Sequence, residues 1–388
     1  MRCGACGSPV TGLVYESREG RSVTSLAHIL AVRTSVFLCT TCGHLQTKPL
    51  EDPAAYYDNA YGISTASEDD DQLYAVEGDE LIYRTRHQFQ VLSNKLDLPP
   101  GTRLLDYGSG KARSVQFLAE ARPDVQVHVF DISQDYVDFW KRYLEPDRWS
   151  CYRPKDEWRG YFDVVLSFFA LEHADSPAEF LAGLTALVRP GGTVYLVFPN
   201  PYGGNASDVV VVDHINHFSE HSLRVTLARA GLEILEIDTD AHDLAYIVTA
   251  RYGDPVAPLD PADPRGVENA RALAAFWSDA ADAVADFGTR NDGPAAIYGA
   301  GIVGSFIATS LVDAARLVCF VDRNPFKHGW EIVGAPVVGP DDPLVEQCSV
   351  VYLGLNPGRG PEVLEAVSAW KARQPEVFVL PHVPSPAG

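Results

Sequence analysis

The sequence predicts an α/β protein with two mostly parallel β-sheets. Short apolar runs alternate with amphipathic segments from about residue 81 to residue 252, and again from residue 295 onwards. This alternation is typical of β-α-β units and of a parallel sheet covered on both faces. In each half, a strand-like run leads into a glycine turn and then into a helical segment, at residues 108–110 and 299–304. We therefore expect two separate doubly wound domains.

The first half contains six strand-like runs separated by helical patterns. The strands are expected at residues 102–108, 125–131, 161–168, 193–199, 232–238 and 245–251. The helices are expected at residues 81–96, 114–121, 180–188 and 222–231, the last closed by Gly231. Gly231 ends its helix because glycine adopts the backbone conformation that follows a helical C-terminus without a Cβ clash.

The second half begins after a segment rich in proline and aspartate, residues 253–266, which cannot form a regular element. An alanine-rich helix is expected at about 267–288, followed by strand-like runs. With the acidic stretch at residues 68–71 taken as a surface loop or linker, the predicted domains are 1–75, 76–252 and 253–388.

Length and composition agree with this division. A chain of 388 residues corresponds to two or three domains. With 46% hydrophobic and 21% charged residues, the composition is that of a globular protein and excludes disorder over most of the length. No apolar run is long enough to span a membrane, and the polar N-terminus lacks the apolar core of a signal peptide, so we expect a cytoplasmic protein.

The net charge of −21 makes nucleic acid and anionic membranes poor partners, because such a surface repels phosphate groups. Solubility is the simplest interpretation of this charge. We therefore expect a small-molecule ligand, and the sequence leaves the oligomeric state open.

Four of the seven cysteines form two pairs with two residues between the members, Cys3 with Cys6 and Cys39 with Cys42. Two such pairs supply the four thiolates of a closed tetrahedral zinc site, which is structural because no position is left open. Two disulfides are the alternative, which the reducing cytoplasm disfavours. The 32 residues between the pairs must form an inserted hairpin or loop.

The first glycine turn has features of a nucleotide-binding site. Asp106 precedes Gly108 and Gly110, whose missing side chains allow close approach of a ligand. Asp131 ends the next strand, 25 residues after Asp106, where an acidic side chain can accept both ribose hydroxyls of an adenosine. A dinucleotide fits these features equally well, although its usual third glycine is replaced here by Arg113.

Motifs further along the chain distinguish between the possible nucleotide ligands. The turn is followed in order by Phe162-Asp163-Val164-Val165, by Leu171-Glu172-His173 and by Leu187-Val188-Arg189-Pro190-Gly191-Gly192. Together with the turn, this set resembles class I S-adenosylmethionine-dependent methyltransferases over residues 80–250. The resemblance implies a class I methyltransferase fold, S-adenosylmethionine as the methyl donor and the enzyme class of a methyltransferase. One departure is Ala112, where many members carry a third glycine.

The same resemblance implies roles for individual residues. Asp106, Gly108 and Gly110 would face the methionine part of the donor, and Asp131 would hold the ribose. Asp156 is a candidate for the adenine amine. Ser167 and Phe168 would end their strand beside the sulfonium.

The second glycine turn, Gly299-Ala300-Gly301-Ile302-Val303-Gly304, matches the dinucleotide fingerprint, with Asp322 as its acid. Taken alone it predicts NAD binding and an oxidoreductase or a bifunctional enzyme. The alternative is a degenerate nucleotide fold that serves as a scaffold or docks the substrate.

Over nearly its whole length the chain resembles the zinc-containing sugar C-methyltransferases of deoxysugar and antibiotic biosynthesis. The resemblance rests on the paired cysteines, on Tyr298-Gly299-Ala300 and on residues 321–329. It implies a Rossmann-like C-terminal domain that closes over the substrate without its own redox cofactor. The implied methyl acceptor is carbon 3 of a nucleotide-linked 4-keto sugar. Tyr57 and Tyr61 match aromatic residues near the substrate entrance of that family, or pack against the methyltransferase core.

The catalytic segment departs from the family pattern. The family carries Tyr-His-Glu-His, and the matching run here is His214-Ile215-Asn216-His217. His217 is kept as the candidate base, whereas His214 replaces the tyrosine and Asn216 replaces the acid. Because an asparagine cannot take up a proton, a nitrogen or oxygen acceptor becomes an alternative to carbon. The segment could also simply cap the next helix, with Ser219 as the N-cap residue. A non-catalytic sugar-nucleotide-binding or partner-binding protein is a third hypothesis.

Overall fold

The computed structural model describes residues 1–52, 56, 69–77, 80–356 and 367–383. Tyr57 and Tyr61, expected near a substrate entrance, lie outside the described residues. Within the described part of the chain, no helix is long and apolar enough to cross a membrane.

The N-terminal region is a small β-structure. Its strands are β1 (Gly12–Glu16), β2 (Ser22–Val23), β3 (Ile29–Leu30), β4 (Ser35–Leu38), β5 (Leu45–Thr47), β6 (Leu73–Glu77) and β7 (Glu80–Tyr83). Strands β1, β4 and β5 form an antiparallel sheet, which fills the interval between the two cysteine pairs as expected. The helix expected from residue 81 begins only at residue 84, because Glu80–Tyr83 pairs with β6 instead.

A seven-stranded sheet forms the centre of the molecule. Its strands are β8 (Arg103–Tyr107), β9 (Gln126–Asp131), β10 (Trp149–Cys151), β11 (Phe162–Phe168), β12 (Val188–Pro199), β14 (Leu232–Asp238) and β15 (Ala245–Tyr252). The order across the sheet is β10-β9-β8-β11-β12-β15-β14. The first five strands are parallel, and β15 is antiparallel to both β12 and β14. The prediction of an α/β fold with a mostly parallel central sheet is confirmed.

Helices cover both faces of this sheet. They are α1 (Arg84–Lys95), α2 (Arg113–Ala121), α3 (Val137–Trp140), α4 (Pro177–Thr185) and α5 (Glu220–Arg229). Successive side chains of a strand point to opposite faces, so Leu104 belongs to the core on one side and Leu105 to the core on the other. Each of these parallel strands is therefore apolar on both faces, which explains its continuous apolar run.

One short strand joins the central and N-terminal regions. β13 (Asn216–His217) lies next to β5 in the N-terminal sheet, with Asn216 opposite Gln46 and His217 opposite Leu45. The N-terminal sheet is therefore not confined to the expected range 1–75. Ser219 caps α5 through reciprocal bonds with Ser222, so the expectation of a helix cap at this segment is also met.

The C-terminal region contains a six-stranded sheet. Its strands are β16 (Ala295–Tyr298), β17 (Leu317–Val321), β18 (Glu331–Ile332), β19 (Ala335–Val338), β20 (Val350–Leu353) and β21 (Glu376–Val379), and its helices are α7 (Ile302–Ser310) and α8 (Ser368–Arg373). The order is β18-β19-β17-β16-β20-β21, with β18 as the antiparallel strand.

A long helix, α6 (Pro264–Arg290), precedes this sheet and connects the three regions. It begins inside the segment that we expected to be irregular, because Asp263 caps it and Pro264 occupies its first turn. Trp277 is fully buried, and its indole NH donates to the carbonyl oxygen of Ala206 at 2.8 Å. Residues of α6 share one apolar core with Tyr15 and Val36 of the N-terminal sheet.

Candidate active site

Two neighbouring cavities lie near the carboxyl ends of the parallel strands. The first, of about 270 Å³, lies at the glycine turn after β8, and the second, of about 480 Å³, reaches the glycine turn after β16. Asp70 and Asp71 line both cavities. Ligands of open α/β sheets bind at this edge, so the two cavities together are the candidate active site.

The residues that form the wall between the two cavities were not predicted from the sequence. Asp70 and Asp71 were taken as part of a surface loop or linker, yet both are buried. The Asp71 carboxylate accepts hydrogen bonds from the backbone and hydroxyl of Thr85, and the ammonium of Lys111 donates to the Asp70 carbonyl oxygen. An acidic run carries no sequence signal for burial, because these bonds come from residues distant in the chain.

The first glycine turn is held by Asp131. The Asp131 carboxylate accepts from the backbone NH of Gly110 at 2.7 Å and of Ser133 at 2.9 Å. Gly108 has a φ of +76°, and a Cβ there would lie 2.9 Å from the Cβ of Ala170. All three turn-forming groups, Gly108, Gly110 and Asp131, line the first cavity.

Asp106 supplies a buried negative group to the same cavity. The side chain is 2% exposed, and its Oδ1 has no hydrogen-bond partner among the described residues. Burial, with the nearby charge of Asp131, raises the pKa of Asp106 to about 8. A positively charged ligand in the cavity would stabilise the ionised form of this carboxyl group.

The other predicted donor residues lie at different distances from the cavity. Phe168 lines it, whereas Ser167 is buried behind it and donates its hydroxyl to the carbonyl oxygen of Tyr107 at 2.8 Å. Asp156 starts a 3₁₀ turn, Asp156–Trp158, and its side chain is exposed. Asp156 is not among the residues that line the first cavity, so the structure gives it no contact with a ligand there.

The predicted catalytic histidine does not face either cavity. His217 is fully buried, with Nδ1 2.5 Å from a carboxylate oxygen of Asp208 and Nε2 2.8 Å from the hydroxyl of Thr47. Asn216 is buried as well, and it donates to the carbonyl oxygen of Ala174 at 2.6 Å. The pairing of β13 with β5 turns these side chains inwards, which corrects their assignment to a cavity-facing base.

Asp208 connects the predicted histidines and was not found from the sequence. This carboxylate is fully buried and lies 2.5 Å from Nδ1 of His214 as well as from His217. The two histidine charges hold the pKa of Asp208 well below its usual range, and Asp208 raises the pKa of His214 to about 9, against the opposing effect of burial. An aspartate within an apolar run could have been noticed, because a buried carboxylate requires a partner.

His173 is the histidine that reaches the first cavity. It lies in the 3₁₀ turn Leu171–His173, and its Nδ1 is 2.8 Å from the carbonyl oxygen of Asp213. Its ring packs edge-on against the ring of His214, with 4.6 Å between the centroids. The layer of His214, His217 and Asp208 therefore supports His173 from behind.

The four paired cysteines converge into one buried cluster. Their Sγ atoms all lie within 4.8 Å of one another, with 3.6 Å between Cys3 and Cys42 and between Cys6 and Cys39. The cluster packs against Val225 of α5, and the neighbouring His44 bonds to the side-chain oxygen of Asn216. The cysteine cluster is thus linked, through His44 and Asn216, to Ala174 in the wall of the first cavity.

The second cavity is lined in part by basic and aromatic side chains. Lys327, His28 and Trp330 line it. The ammonium of Lys327 donates to the carbonyl oxygen of Ala300 at 2.9 Å and lies 3.7 Å from the carboxylate of Asp322. That carboxylate also accepts from the backbone NH of Ala300 at 2.8 Å.

Comparisons with known proteins identify the central region. Residues 79–237 match the family model described as a methyltransferase domain. A tRNA U34 carboxymethyltransferase of Syntrophotalea carbinolica is 32% identical over 106 residues, 25% of this chain and 32% of that protein. A ubiquinone biosynthesis O-methyltransferase of Xanthomonas campestris is 32% identical over 104 residues, covering 25% and 43% of the two chains. The chain thus spans less than half the length of these curated relatives.

Among solved structures, an S-adenosylmethionine-dependent methyltransferase from Mesorhizobium loti is similar to the chain, with a TM-score of 0.35 and 15% identity. The similarity covers 42% of this chain and 97% of that structure.

Residues 79–237, which include the glycine turn of the first cavity, match a methyltransferase domain. The predicted enzyme class, an S-adenosylmethionine-dependent methyltransferase, is confirmed for the domain at residues 79–237.

Proposed function

We propose that the whole chain transfers a methyl group from S-adenosylmethionine, bound in the first cavity, to a small molecule bound in the second. The observation that carries this proposal is the buried carboxyl group of Asp106 beside the glycine turn, whose Oδ1 has no hydrogen-bond partner among the described residues. S-adenosylmethionine carries an ammonium and a sulfonium, and a positive charge beside Asp106 would stabilise the ionised form of its carboxyl group. A Cβ at Gly110 would have only Tyr136 nearby, at 4.0 Å, so the missing side chain leaves room for the close approach of such a ligand.

Each predicted donor residue has a proposed role in this arrangement. Asp131 holds the glycine turn and would accept the ribose hydroxyls, while Asp106, Gly108 and Gly110 would contact the methionine part. Phe168 would cover the sulfonium from the end of its strand. The donor supplies the electrophilic methyl group when bound, and the protein contributes the alignment of the acceptor with it.

For the acceptor we propose a nucleotide-linked sugar in natural-product biosynthesis. The second cavity offers Lys327 and His28 to phosphate oxygens, and Trp330 provides an aromatic surface for a base. Asp70 and Asp71, in the wall shared with the first cavity, could accept hydrogen bonds from sugar hydroxyls near the methyl donor. The C-terminal sheet would then act as a Rossmann-like substrate domain without a redox cofactor.

We propose positioning roles for the predicted catalytic segment. Since His217 and Asn216 are buried away from the cavities, they would support the cavity-facing His173 rather than remove a proton from the acceptor. This placement favours no single acceptor atom, so carbon, oxygen and nitrogen remain outcomes of the experiment below.

We also propose that the four cysteines bind a structural zinc ion. Tetrahedral coordination with Zn–S distances of about 2.3 Å places sulfurs about 3.8 Å apart, close to the 3.6 Å separations in the cluster. The cluster is buried and includes four thiols, so the ion would have no open position for a substrate. Its role would be to hold the N-terminal sheet, and with it β13, in place.

The experiment is an assay of methyl transfer. The protein is incubated with S-adenosylmethionine carrying an isotopically labelled methyl group and with a panel of nucleotide-linked keto sugars. We expect label in a sugar product whose mass has increased by one CH₂ unit, and NMR identifies the methylated atom. Absence of transfer to every sugar, with donor binding retained, would contradict the substrate class. Absence of donor binding would contradict the methyl-transfer proposal itself.

A pair of lysine variants tests the acceptor cavity. We expect Lys327→Met to raise the KM for the sugar nucleotide by about tenfold, the effect of one charged hydrogen bond, with donor affinity unchanged. Lys371→Met removes an exposed lysine of α8 and should leave both constants unchanged. Equal effects of the two variants would exclude a phosphate contact at Lys327.

Hydride transfer with NAD at the second glycine turn is the competing function. A Cβ added at Gly301 would have no atom within 4 Å, so a large side chain there would fill only the open space that a dinucleotide needs. Fluorescence enhancement of NADH that is lost in Gly301→Trp would favour this function. The methyltransferase proposal expects no enhancement in either protein.

A further inference from the structure

A short turn of the N-terminal region lies in the wall of the second cavity. It comprises residues 24–28 and joins β2 to β3, and the cavity is lined by Ser25, Leu26, Ala27 and His28. The backbone NH of Thr24 donates to the carbonyl oxygen of His28, and the NH of Ala27 donates to the carbonyl oxygen of Thr24, both at 2.9 Å. The N-terminal region therefore contributes a hydrogen-bonded surface to the candidate active site.

The C-terminal region holds one end of this turn. Ala27 has a φ of +62°, a left-handed conformation that is costly for a residue with a side chain and persists where the surroundings impose it. The hydroxyl of Ser305 in α7 donates to the carbonyl oxygen of Ala27 at 2.6 Å. The ring centroids of His28 and Trp330 lie 6.0 Å apart. The His28 end of the turn is therefore beside the residues proposed to bind the nucleotide.

The central region holds the other end through Asp213. The buried carboxylate of Asp213 accepts from the backbone NH of Ser25 at 2.8 Å and from its hydroxyl at 2.6 Å. The carbonyl oxygen of Asp213 accepts from Nδ1 of His173 at 2.8 Å, and His173 lines the first cavity. A single residue thus connects the Ser25 end of the turn to the cavity proposed for the methyl donor.

The bonds to Asp213 determine how Ser25 can bind a ligand. Because a carboxylate only accepts hydrogen bonds, the Ser25 hydroxyl donates its hydrogen to Asp213. The hydroxyl oxygen can then only accept a hydrogen bond from a group in the cavity, which the half-buried Ser25 lines. Ser25 therefore favours a ligand group that carries a hydrogen, such as a hydroxyl or an amino group, over a carbonyl or an ether oxygen.

We propose that Ser25 is a specificity-determining residue that accepts a hydrogen bond from a hydroxyl or amino group of the acceptor sugar, and that Asp213 is the positioning residue that orients it. This proposal rests on the function proposed above for the second cavity. The two ends of the turn place the sugar towards Ser25 and the first cavity, and the diphosphate towards His28. The N-terminal region would then take part directly in the choice of acceptor.

The test is a calorimetric titration of the full chain with dTDP-glucose and UDP-glucose, and with dTDP and UDP, which lack the hexose. We expect Ser25→Ala to weaken binding of the tighter sugar nucleotide by about threefold to tenfold, the effect of one hydrogen bond. Binding of the matching nucleoside diphosphate should be unchanged. The difference between the two ligands isolates the contact with the hexose.

The positioning role is tested with Asp213→Asn. The amide keeps the size of the side chain, and its oxygen can still accept from the backbone NH of Ser25, but its nitrogen donates to the Ser25 hydroxyl. Ser25 then presents a hydrogen to the cavity, so this variant should lose as much affinity for the sugar nucleotide as Ser25→Ala. The double variant should lose no more than either single variant, because all three remove the same hydrogen bond. Additive losses would overturn the role of Asp213.

The matched control is Ser22→Ala in β2, which removes another hydroxyl from the same hairpin. Ser22 is buried, donates to the carbonyl oxygen of Val32 at 2.8 Å and is not among the residues that line the second cavity. Its variant should bind both kinds of ligand as the unchanged chain does. If Asp213→Asn does not fold, Ser25→Ala still decides, because Ser25 is only half-buried.

Three results would overturn the proposal for Ser25. They are an unchanged affinity of Ser25→Ala for the sugar nucleotide, an equal loss for the sugar nucleotide and the nucleoside diphosphate, and the absence of sugar-nucleotide binding by the unchanged chain. Donor binding and methyl transfer by the unchanged chain, measured on the same samples, show separately whether the proposed function fails.

Discussion

The glycine turn at residues 108–110 and the glycine turn at residues 299–304 both follow a short parallel strand that ends in tyrosine. In both, the first glycine has a positive φ, +76° at Gly108 and +99° at Gly299. In both, an aspartate at the end of the next strand or just after it accepts a hydrogen bond from a turn amide, Asp131 at 2.7 Å and Asp322 at 2.8 Å. The local backbone design of the two turns is therefore the same.

The surroundings of the two turns differ in charge. The residue before the strand-ending tyrosine is Asp106 in the first turn and Ile297 in the second. Asp106 gives the first cavity a buried carboxyl group whose Oδ1 has no hydrogen-bond partner in the described part of the chain, and Ile297 belongs to an apolar core. The second turn instead has the ammonium of Lys327 on the carbonyl oxygen of Ala300. The first turn thus has a buried acidic side chain before it, and the second has a lysine beside it.

The two turns also differ in how closely the next helix approaches. The third glycine of the second turn is Gly304, where a Cβ would lie 1.9 Å from the carbonyl oxygen of Gly299. The matching position of the first turn is Arg113. A glycine motif can therefore result from close backbone packing as well as from ligand binding. Which ligand binds depends on the charged residues around the turn.

The largest effect should follow removal of zinc from the proposed cysteine site. We expect it to differ between the regions around the two glycine turns. Apparent binding free energies of structural zinc are about 10–16 kcal/mol, so chelation should unfold the N-terminal sheet. Hydrogen exchange should become more than about tenfold faster in the paired strands β5 and β13, and change less in β16 and β20. Equal acceleration in all four strands would show that the cluster supports both turns alike.

Helix packing at the second turn predicts the next largest effect. Gly304→Ala should lower the free energy of unfolding by about 1–3 kcal/mol, as overpacking of a tight contact does, because Gly299 and Ile297 crowd this position. Gly301→Ala in the same turn should change it by less than about 0.5 kcal/mol, since no atom lies within 4 Å. Urea unfolding measures both, and equal losses would contradict the packing difference.

The charge difference predicts an effect on donor affinity. Asp106→Asn should weaken the binding of S-adenosylmethionine by roughly tenfold to a hundredfold, because a hydrogen bond to a charged group contributes about 1.5–3 kcal/mol. Ile297→Val in the second turn should leave the affinity unchanged. Calorimetry measures both constants. An unchanged affinity in Asp106→Asn would mean that this carboxylate does not face the ligand.

The pH dependence of donor binding gives a smaller, graded effect. The pKa of Asp106 is raised to about 8 in the free protein by burial, and a cationic ligand lowers it by favouring the carboxylate. Binding below pH 8 must therefore release a proton, and affinity should fall as the pH decreases, by at most tenfold per unit. Calorimetry in two buffers of different ionisation enthalpy measures the released proton. Proton uptake would contradict this sign.

The fold could be predicted from the sequence because each element depends on local patterns. Apolar runs such as Leu104–Leu105 are buried on both faces of the sheet, and the two glycine turns follow their strands as expected. The site could be predicted only where a local motif carries it, as for Asp131, whose place at the end of its strand follows from the pattern.

The remaining site residues depend on tertiary contacts. Asp71 is buried because Thr85 donates to it, and Asp208 is buried because two histidines surround it. His217, the candidate base, is fully buried next to β5, with which its strand β13 pairs, and the sequence contains no signal for that pairing. Burial and partners of polar residues distant in the chain are therefore what the sequence alone does not reveal.

The most direct test of the account is a calorimetric titration with S-adenosylmethionine of the unchanged chain, Asp131→Ala and Asp322→Ala. The two variants remove equivalent turn-bonded carboxylates, so each is the structural control for the other. We predict one donor molecule per chain, loss of binding by at least tenfold in Asp131→Ala, the effect of one charged hydrogen bond, and unchanged binding in Asp322→Ala. Loss in Asp322→Ala with retention in Asp131→Ala would place the donor at the second turn and contradict the account.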